Sequence, residues 1–257
     1  MHHTAELGRI YWRSRRYPEA IDQLQQAVQL ATALGLDHKV SDYHRVLGES
    51  YKALCQFPQA RAHLEQALQL AQKANAPGEQ IGALVTISAL AEAEGHTQSA
   101  LDYSQRALQV AERTGDMRLQ VRCLGKVGQL YGKLSQLPLA RRWLEAAVDT
   151  QQAFGLRANE PIVPHNLYRL ADVLYRQGDY AAAEAHCHRG LAILREHGQT
   201  MFQSKELFLW TTTTLAQCWF AQGRQEEAGQ QLLALLAITD DPAQQVKIQE
   251  MLAQFAS

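Results

Sequence analysis

Residues 43–71 read YHRVLGESYKALCQFPQARAHLEQALQLA, and this stretch decides the fold. Tyr43, Val46, Leu47, Tyr51 and Leu54 recur at helical spacing, Phe57-Pro58 interrupts them, and Ala60, Leu64, Ala67, Leu68 and Ala71 resume the pattern. The stretch reads as two amphipathic helices joined by a short break. A proline in the first turn of a helix gives up only an amide that would be unpaired anyway, so Pro58 opens the second helix.

The same phrase recurs along the chain. Ala20, Ala60, Ala100 and Ala140 stand 40 residues apart, and it continues at Ala183 and Ala228 after steps of 43 and 45. Pro18 and Pro138 take the place of Pro58, while Gly35, Asn75-Ala76-Pro77, Gly115-Asp116 and Gly155 separate one helix pair from the next. A fixed period of this size means stacked supersecondary units, each packing on its neighbours.

Leu7-Gly8, Tyr11, Ala20, Leu24 and Ala27 resemble the tetratricopeptide repeat (TPR) signature, and Leu47-Gly48, Tyr51, Ala60, Leu64 and Ala67 repeat it. Four further copies are centred on Ile87-Ser88, Val127-Gly128, Leu170-Ala171 and Leu215-Ala216. The resemblance implies an all-α, right-handed superhelical solenoid of six helix pairs. As one domain over residues 1–257, the repeats cover about 1–35, 36–75, 76–115, 116–156, 157–198 and 199–240. The small residues Gly8, Gly48, Ser88, Gly128, Ala171 and Ala216 let paired helices approach closely. The period exceeds the usual repeat of about 34 residues, so each helix is expected to be nearly one turn longer. A wider connection is expected from Leu156 to Pro164, and an unusually long helix from Gln199 to Gln222.

A terminal repeat exposes the face that its missing neighbour would bury. Asp241-Pro242 reads as an N-cap and first-turn proline, and Val246, Ile248, Met251, Leu252 and Phe255 form an apolar stripe, so residues 242–255 are expected to cap the array. Repeat one begins at once, and the expectation there is a fragment of a larger protein or a homodimer through the uncapped repeat. His2-His3 reads equally well as native sequence or as a tag remnant.

A net charge of −1 gives no global pull toward nucleic acid or an anionic membrane. The longest apolar run, Leu232 to Ile238, is far shorter than the roughly 18 residues of a membrane span, and its leucines read as repeat core. Cys55, Cys123, Cys187 and Cys218 share no metal or redox spacing, which fits reduced thiols in a cytoplasmic protein. There is no phosphate-binding glycine loop, nucleophile elbow or zinc-peptidase motif. His186-Cys187-His188 is dense, but residues i and i+2 of a helix point to different sides. No catalytic residue, metal site or cofactor is therefore expected.

The resemblance places the first helix of each pair along the concave groove. Register then puts Arg9, Arg13, Asp42, Arg45, Glu49 and Lys52 there in repeats one and two, and Arg122, Lys126, Gln129, Lys133, Tyr168, Arg169, Asp172 and Arg176 in repeats four and five. Gly82, Ala89, Ala93, Gly125 and Gly132 form a bare floor, and Tyr168, Tyr175, Trp210 and Phe220 add aromatic area. A clamp for a peptide's terminal carboxylate is disfavoured, because Glu49 would repel it. The expectation is a non-catalytic scaffold or adaptor whose groove binds an acidic, partly apolar protein or peptide segment. The alternative is a sensing domain of a larger bacterial signalling or transcription-control protein, with a nucleic-acid binder ranked below both.

Overall fold

The structure is a computed structural model that describes residues 2–158, 160–197 and 204–256. Among them are thirteen α-helices and no strand. The chain divides into two compact units, Met1–Leu134 and Ser135–Ser257.

The first unit contains α1 (His2–Arg13), α2 (Tyr17–Ala33), α3 (Asp37–Ala53), α4 (Phe57–Lys73), α5 (Pro77–Ala93), α6 (Thr97–Thr114) and α7 (Met117–Lys133). Each helix packs on its sequence neighbours, and the odd-numbered ones also touch in order, so α1, α3, α5 and α7 share one face. The second unit contains α8 (Leu137–Ala153), α9 (Ile162–Arg176), α10 (Tyr180–His197), α11 (Ser204–Ala221), α12 (Gln225–Ile238) and α13 (Pro242–Ala256). There α9 and α11 lie side by side.

The periodic alanines are the packing points. Ala20, Ala60, Ala100, Ala140, Ala183 and Ala228 are each 0% exposed. The facing residue must be small too. A Cβ on Gly48 would lie 2.5 Å from Leu64 Cγ, and one on Gly8 would lie 2.8 Å from Leu24 Cγ. Ser88, in the same place one repeat later, donates its hydroxyl to the Ala100 carbonyl (2.8 Å) and shares a hydrogen bond with Ser104 (2.7 Å).

Turns between helices follow one pattern. Arg15, Cys55, Gly95 and Ser135, again 40 residues apart, all have positive φ. A left-handed residue after a helix lets the next amide reach back to an orphan carbonyl, as Gln56 does to Tyr51 (2.9 Å) and His96 to Ala91 (2.8 Å). Pro18, Pro58 and Pro138 lie in the first turns of α2, α4 and α8. Among the N-caps of α2 to α7, Asp116 alone uses its side chain, accepting from the amides of Arg118 (3.0 Å) and Leu119 (3.1 Å).

The wider connection expected from Leu156 to Pro164 lies between Ala153 and Ile162; Pro164 belongs instead to the first turn of α9, where a proline gives up no helix bond. Residues 199–203 of the long helix expected from Gln199 lie outside the described residues; from Ser204, α11 runs 18 residues, the length of α6 and α10. At the C-terminus α13 caps its unit, with Ile248 buried beside Leu232 and Leu235. Phe255 stacks on Phe220 at 4.1 Å and 6° between planes. This corrects the placement of Phe220 as groove surface: it is a contact of the capping helix.

Candidate functional site

In the first unit, the face shared by α1, α3, α5 and α7 carries a ladder of ion pairs. Arg9 on α1 pairs with Glu6 (3.5 Å) and reaches across to Asp42 on α3. Arg45, one turn after Asp42, bonds both Asp42 and Glu49 (2.7 Å), and Thr86 on α5 donates to Glu49 (3.2 Å). Burial works against the charge on Asp42, but Arg45 and Arg9 outweigh it and hold the carboxyl below its ordinary range. The same balance, with Glu49 and Asp42 as partners, raises Arg45. Arg13 is exposed and Lys52 half-buried at the edge of this network.

Farther along the face, Lys126 and Lys133 of α7 both donate to Glu92 of α5. Lys126 also reaches Gln129 (3.5 Å), and Arg122 is exposed one turn before it. Burial alone would raise Glu92, and the two lysines lower it instead. Register counted these bases without Glu6, a neighbour of Arg9 on the same helix that it left out, and without Glu92, which crosses from α5 where a helical wheel of α7 does not show it. The bare floor needs correction too. Gly125 and Gly132 are buried, and the Arg45 side chain lies over Gly82, with Cδ 3.2 Å from where a Cβ would sit.

In the second unit, Tyr168 on α9 stacks on Trp210 on α11, ring centres 5.9 Å apart, and Trp210 remains 44% exposed. Burial pushes the Tyr168 hydroxyl up to about 12. Asp172 lies one turn on from Tyr168, desolvated and raised, with Arg176 at 3.7 Å opposing the shift. Arg169 reaches Asn166 (3.5 Å), and Tyr175 packs against Tyr180 at 5.7 Å. The unit thus presents an aromatic pair shared by α9 and α11, with two arginines and one carboxyl also carried by α9. Thr211, Thr212, Thr213 and Thr214 beside Trp210 each turn their hydroxyl back to a carbonyl of their own helix.

Away from these faces, His186 leaves a buried Nδ1 without a partner, Cys187 is buried and His188 lies 3.5 Å from Glu184. Among the described residues no three His, Cys, Asp or Glu side chains gather as a metal site, and no helix is long and apolar enough to cross a membrane.

Two tetratricopeptide repeat family models match the chain, at residues 1–73 and 167–197. Helix pairs packed through these alanines and glycines agree with both matches. The chain carries tetratricopeptide repeats. Over 114 residues the TPR array is 28% identical to response regulator aspartate phosphatase A of Bacillus subtilis, covering 44% of this chain and 29% of that protein. Among solved structures it resembles a signal-transduction ATPase with a tetratricopeptide repeat sensor from Pyrococcus horikoshii, with TM-score 0.76, 14% identity, and coverage of 98% of this chain and 38% of the other. It also resembles a Rap protein complexed with competence and sporulation factor, with TM-score 0.68, 15% identity, and coverage of 98% and 73%. These likenesses make the fold an all-α TPR solenoid.

Proposed function

We propose that this TPR array is a non-catalytic protein- or peptide-binding module whose first-helix face takes up an acidic, partly apolar segment. The observation that carries this reading is the Tyr168–Trp210 stack: a tryptophan 44% exposed, packed on a second ring inclined at 30°, with Arg169 and Arg176 on the same helix as Tyr168. A pre-ordered aromatic side chain contributes contact area at low entropic cost, and arginines on that helix select for carboxylates. In the first unit the ladder leaves Arg122 and Arg13 at the surface as further positive charge. Selection from a peptide library should enrich acidic segments with an aromatic or aliphatic anchor. Trp210→Ala should weaken the selected peptides at least about tenfold with unfolding temperature unchanged, the loss expected for one aromatic hot spot. Enrichment of basic peptides, or undiminished affinity in Trp210→Ala, would sink the reading.

A second reading, a regulatory or sensing TPR domain of a larger bacterial signalling protein, is favoured by the likeness to response regulator aspartate phosphatase A. The chain spans 29% of that protein, so any action on a response regulator is a proposal for this chain. Faster phosphate release from an aspartyl-phosphorylated receiver domain on adding the chain would support it; an unchanged rate together with tight peptide binding would favour the adaptor. Nucleic-acid binding ranks below both, and affinity for an oligonucleotide that fell steeply with salt would raise it.

A further inference from the structure

Glu92 stands in the last turn of α5 with its carboxylate clasped by Lys126 and Lys133, seven residues apart and hence two turns along one side of α7. The clasp is sheltered: the side chains of Glu92 and Lys126 are 15% and 14% exposed, while Lys133 is 49% exposed at the rim. Its origin differs from that of the neighbouring ladder. Arg45 is neutralised by acids of its own helix at i−3 and i+4. The α7 sequence, MRLQVRCLGKVGQLYGK, holds four bases and no acid, so the carboxylate between Lys126 and Lys133 comes from another helix, 34 and 41 residues away. Two ammonium groups around one carboxylate are what a partner's acidic residue would need at this place, and Arg122 lies exposed one turn before Lys126.

We infer that Glu92 is an internal stand-in for a partner's carboxylate: it fills an anion seat made by Lys126 and Lys133, and an acidic segment docks by displacing it. The inference rests on the acidic-partner reading above and adds a specificity-determining residue to it. The exchange swaps one carboxylate for another, so few hydrogen bonds are lost. Its cost is that the seat is open only part of the time, and apparent affinity falls by the open fraction. Segments carrying a single weak anion are thereby rejected, and those with a second anion in reach of the exposed Arg122 are admitted.

The test uses a fluorescein-labelled synthetic peptide with glutamates one helical turn apart and leucines between them, read by fluorescence anisotropy. Glu92→Gln should tighten binding about fivefold or more by emptying the seat. Glu94→Gln is the matched control, since Glu94 is equally sheltered and pairs with Arg61; it removes the same charge two residues away and should change affinity less than about twofold, as for a screened pair. Adding Lys126→Gln and Lys133→Gln to Glu92→Gln should abolish the gain, with unfolding temperature confirming that each variant is folded. Equal gains from Glu92→Gln and Glu94→Gln, or a gain that survives loss of both lysines, would overturn the stand-in role. So would wild-type binding that Glu92→Gln leaves unchanged, with the acidic-partner reading intact. Absence of binding to every variant would overturn both.

Discussion

Gly48 meets Leu64 where α3 crosses α4, and a Cβ added at Gly48 would lie 2.5 Å from Leu64 Cγ and 3.2 Å from the Ala60 carbonyl oxygen. Leu64 is fully buried and cannot swing aside. Gly48→Ala should therefore cost about 1–3 kcal/mol by overpacking, although alanine favours helix by about 1 kcal/mol. Gly190→Ala should be neutral or stabilising, because its nearest neighbour is Thr211 Cγ2 at 3.7 Å. Thermal unfolding followed by circular dichroism checks both, and equal melting points for the two variants would contradict the crossing geometry.

Cys55 and Gly95 occupy the same turn in successive repeats, at φ of 57° and 82°. A non-glycine residue in this region carries roughly 1 kcal/mol of strain. Cys55→Gly should stabilise the chain by up to about 1 kcal/mol, with the greater freedom of glycine in the unfolded chain offsetting part of the gain. Gly95→Ala should destabilise it by about 1 kcal/mol; nothing lies within 4 Å of the added Cβ, so the whole effect is backbone strain. Denaturant midpoints that move in the opposite directions would show that the turns are not strained as their φ angles imply.

These turns mark the limit of what could be read from the sequence. The helix pairs were legible because a 40-residue period of alanine, with proline at the second helix start, has one physical explanation in close crossing. The left-handed turn residues were legible at Gly35, Gly115 and Gly155 and hidden at Arg15, Cys55 and Ser135, where no glycine marks the turn. At the candidate site, register put Arg45 on one face with its partners Asp42 and Glu49, at i−3 and i+4 of the same helix, but gave Lys126 and Lys133 no partner. Glu92 reaches them from α5, and a helical wheel of α7 does not contain that information. Phe220 fell to the opposite error: an aromatic placed in the groove by spacing belongs to the capping helix.

His44 and His63 bring their Nδ1 atoms to 2.9 Å, with rings stacked at 5.1 Å, and Tyr51 also stacks on His63 at 5.2 Å. Two such nitrogens share one proton; a second sets N–H against N–H. Burial, with the charge of His63 added, pushes His44 down to about 4, and burial lowers His63 as well. Folded values below the unfolded 6.5 mean that the unfolded state takes up protons first. The pair's stabilisation is then fully present above about pH 6.5 and is lost as pH falls toward 4, by about 1–2 kcal/mol at these partly exposed rings. Replacing both histidines by glutamine should flatten the unfolding curve over that window, and a wild-type slope retained in the double variant would assign it to other groups.

Phe255 stacked on Phe220 ties α13 to the second unit, where Ile248 fills the space beside Leu232 and Leu235. A buried aromatic pair contributes area burial plus about 0.5–1.5 kcal/mol of stacking, so Phe255→Ala should cost about 2–3 kcal/mol in this unit, less than the 3–5 typical of a fully buried phenylalanine. Removing residues 242–257 should do more, since it bares Leu232 and Leu235 together with the already exposed Leu233 and Ile238. A solvent-facing strip of that kind associates with its like. Light scattering should therefore find larger species for the truncated chain than for Phe255→Ala at equal concentration. A truncated chain that stayed monodisperse at the wild-type mass, with an unchanged melting point, would mean that α13 does not cap the repeat.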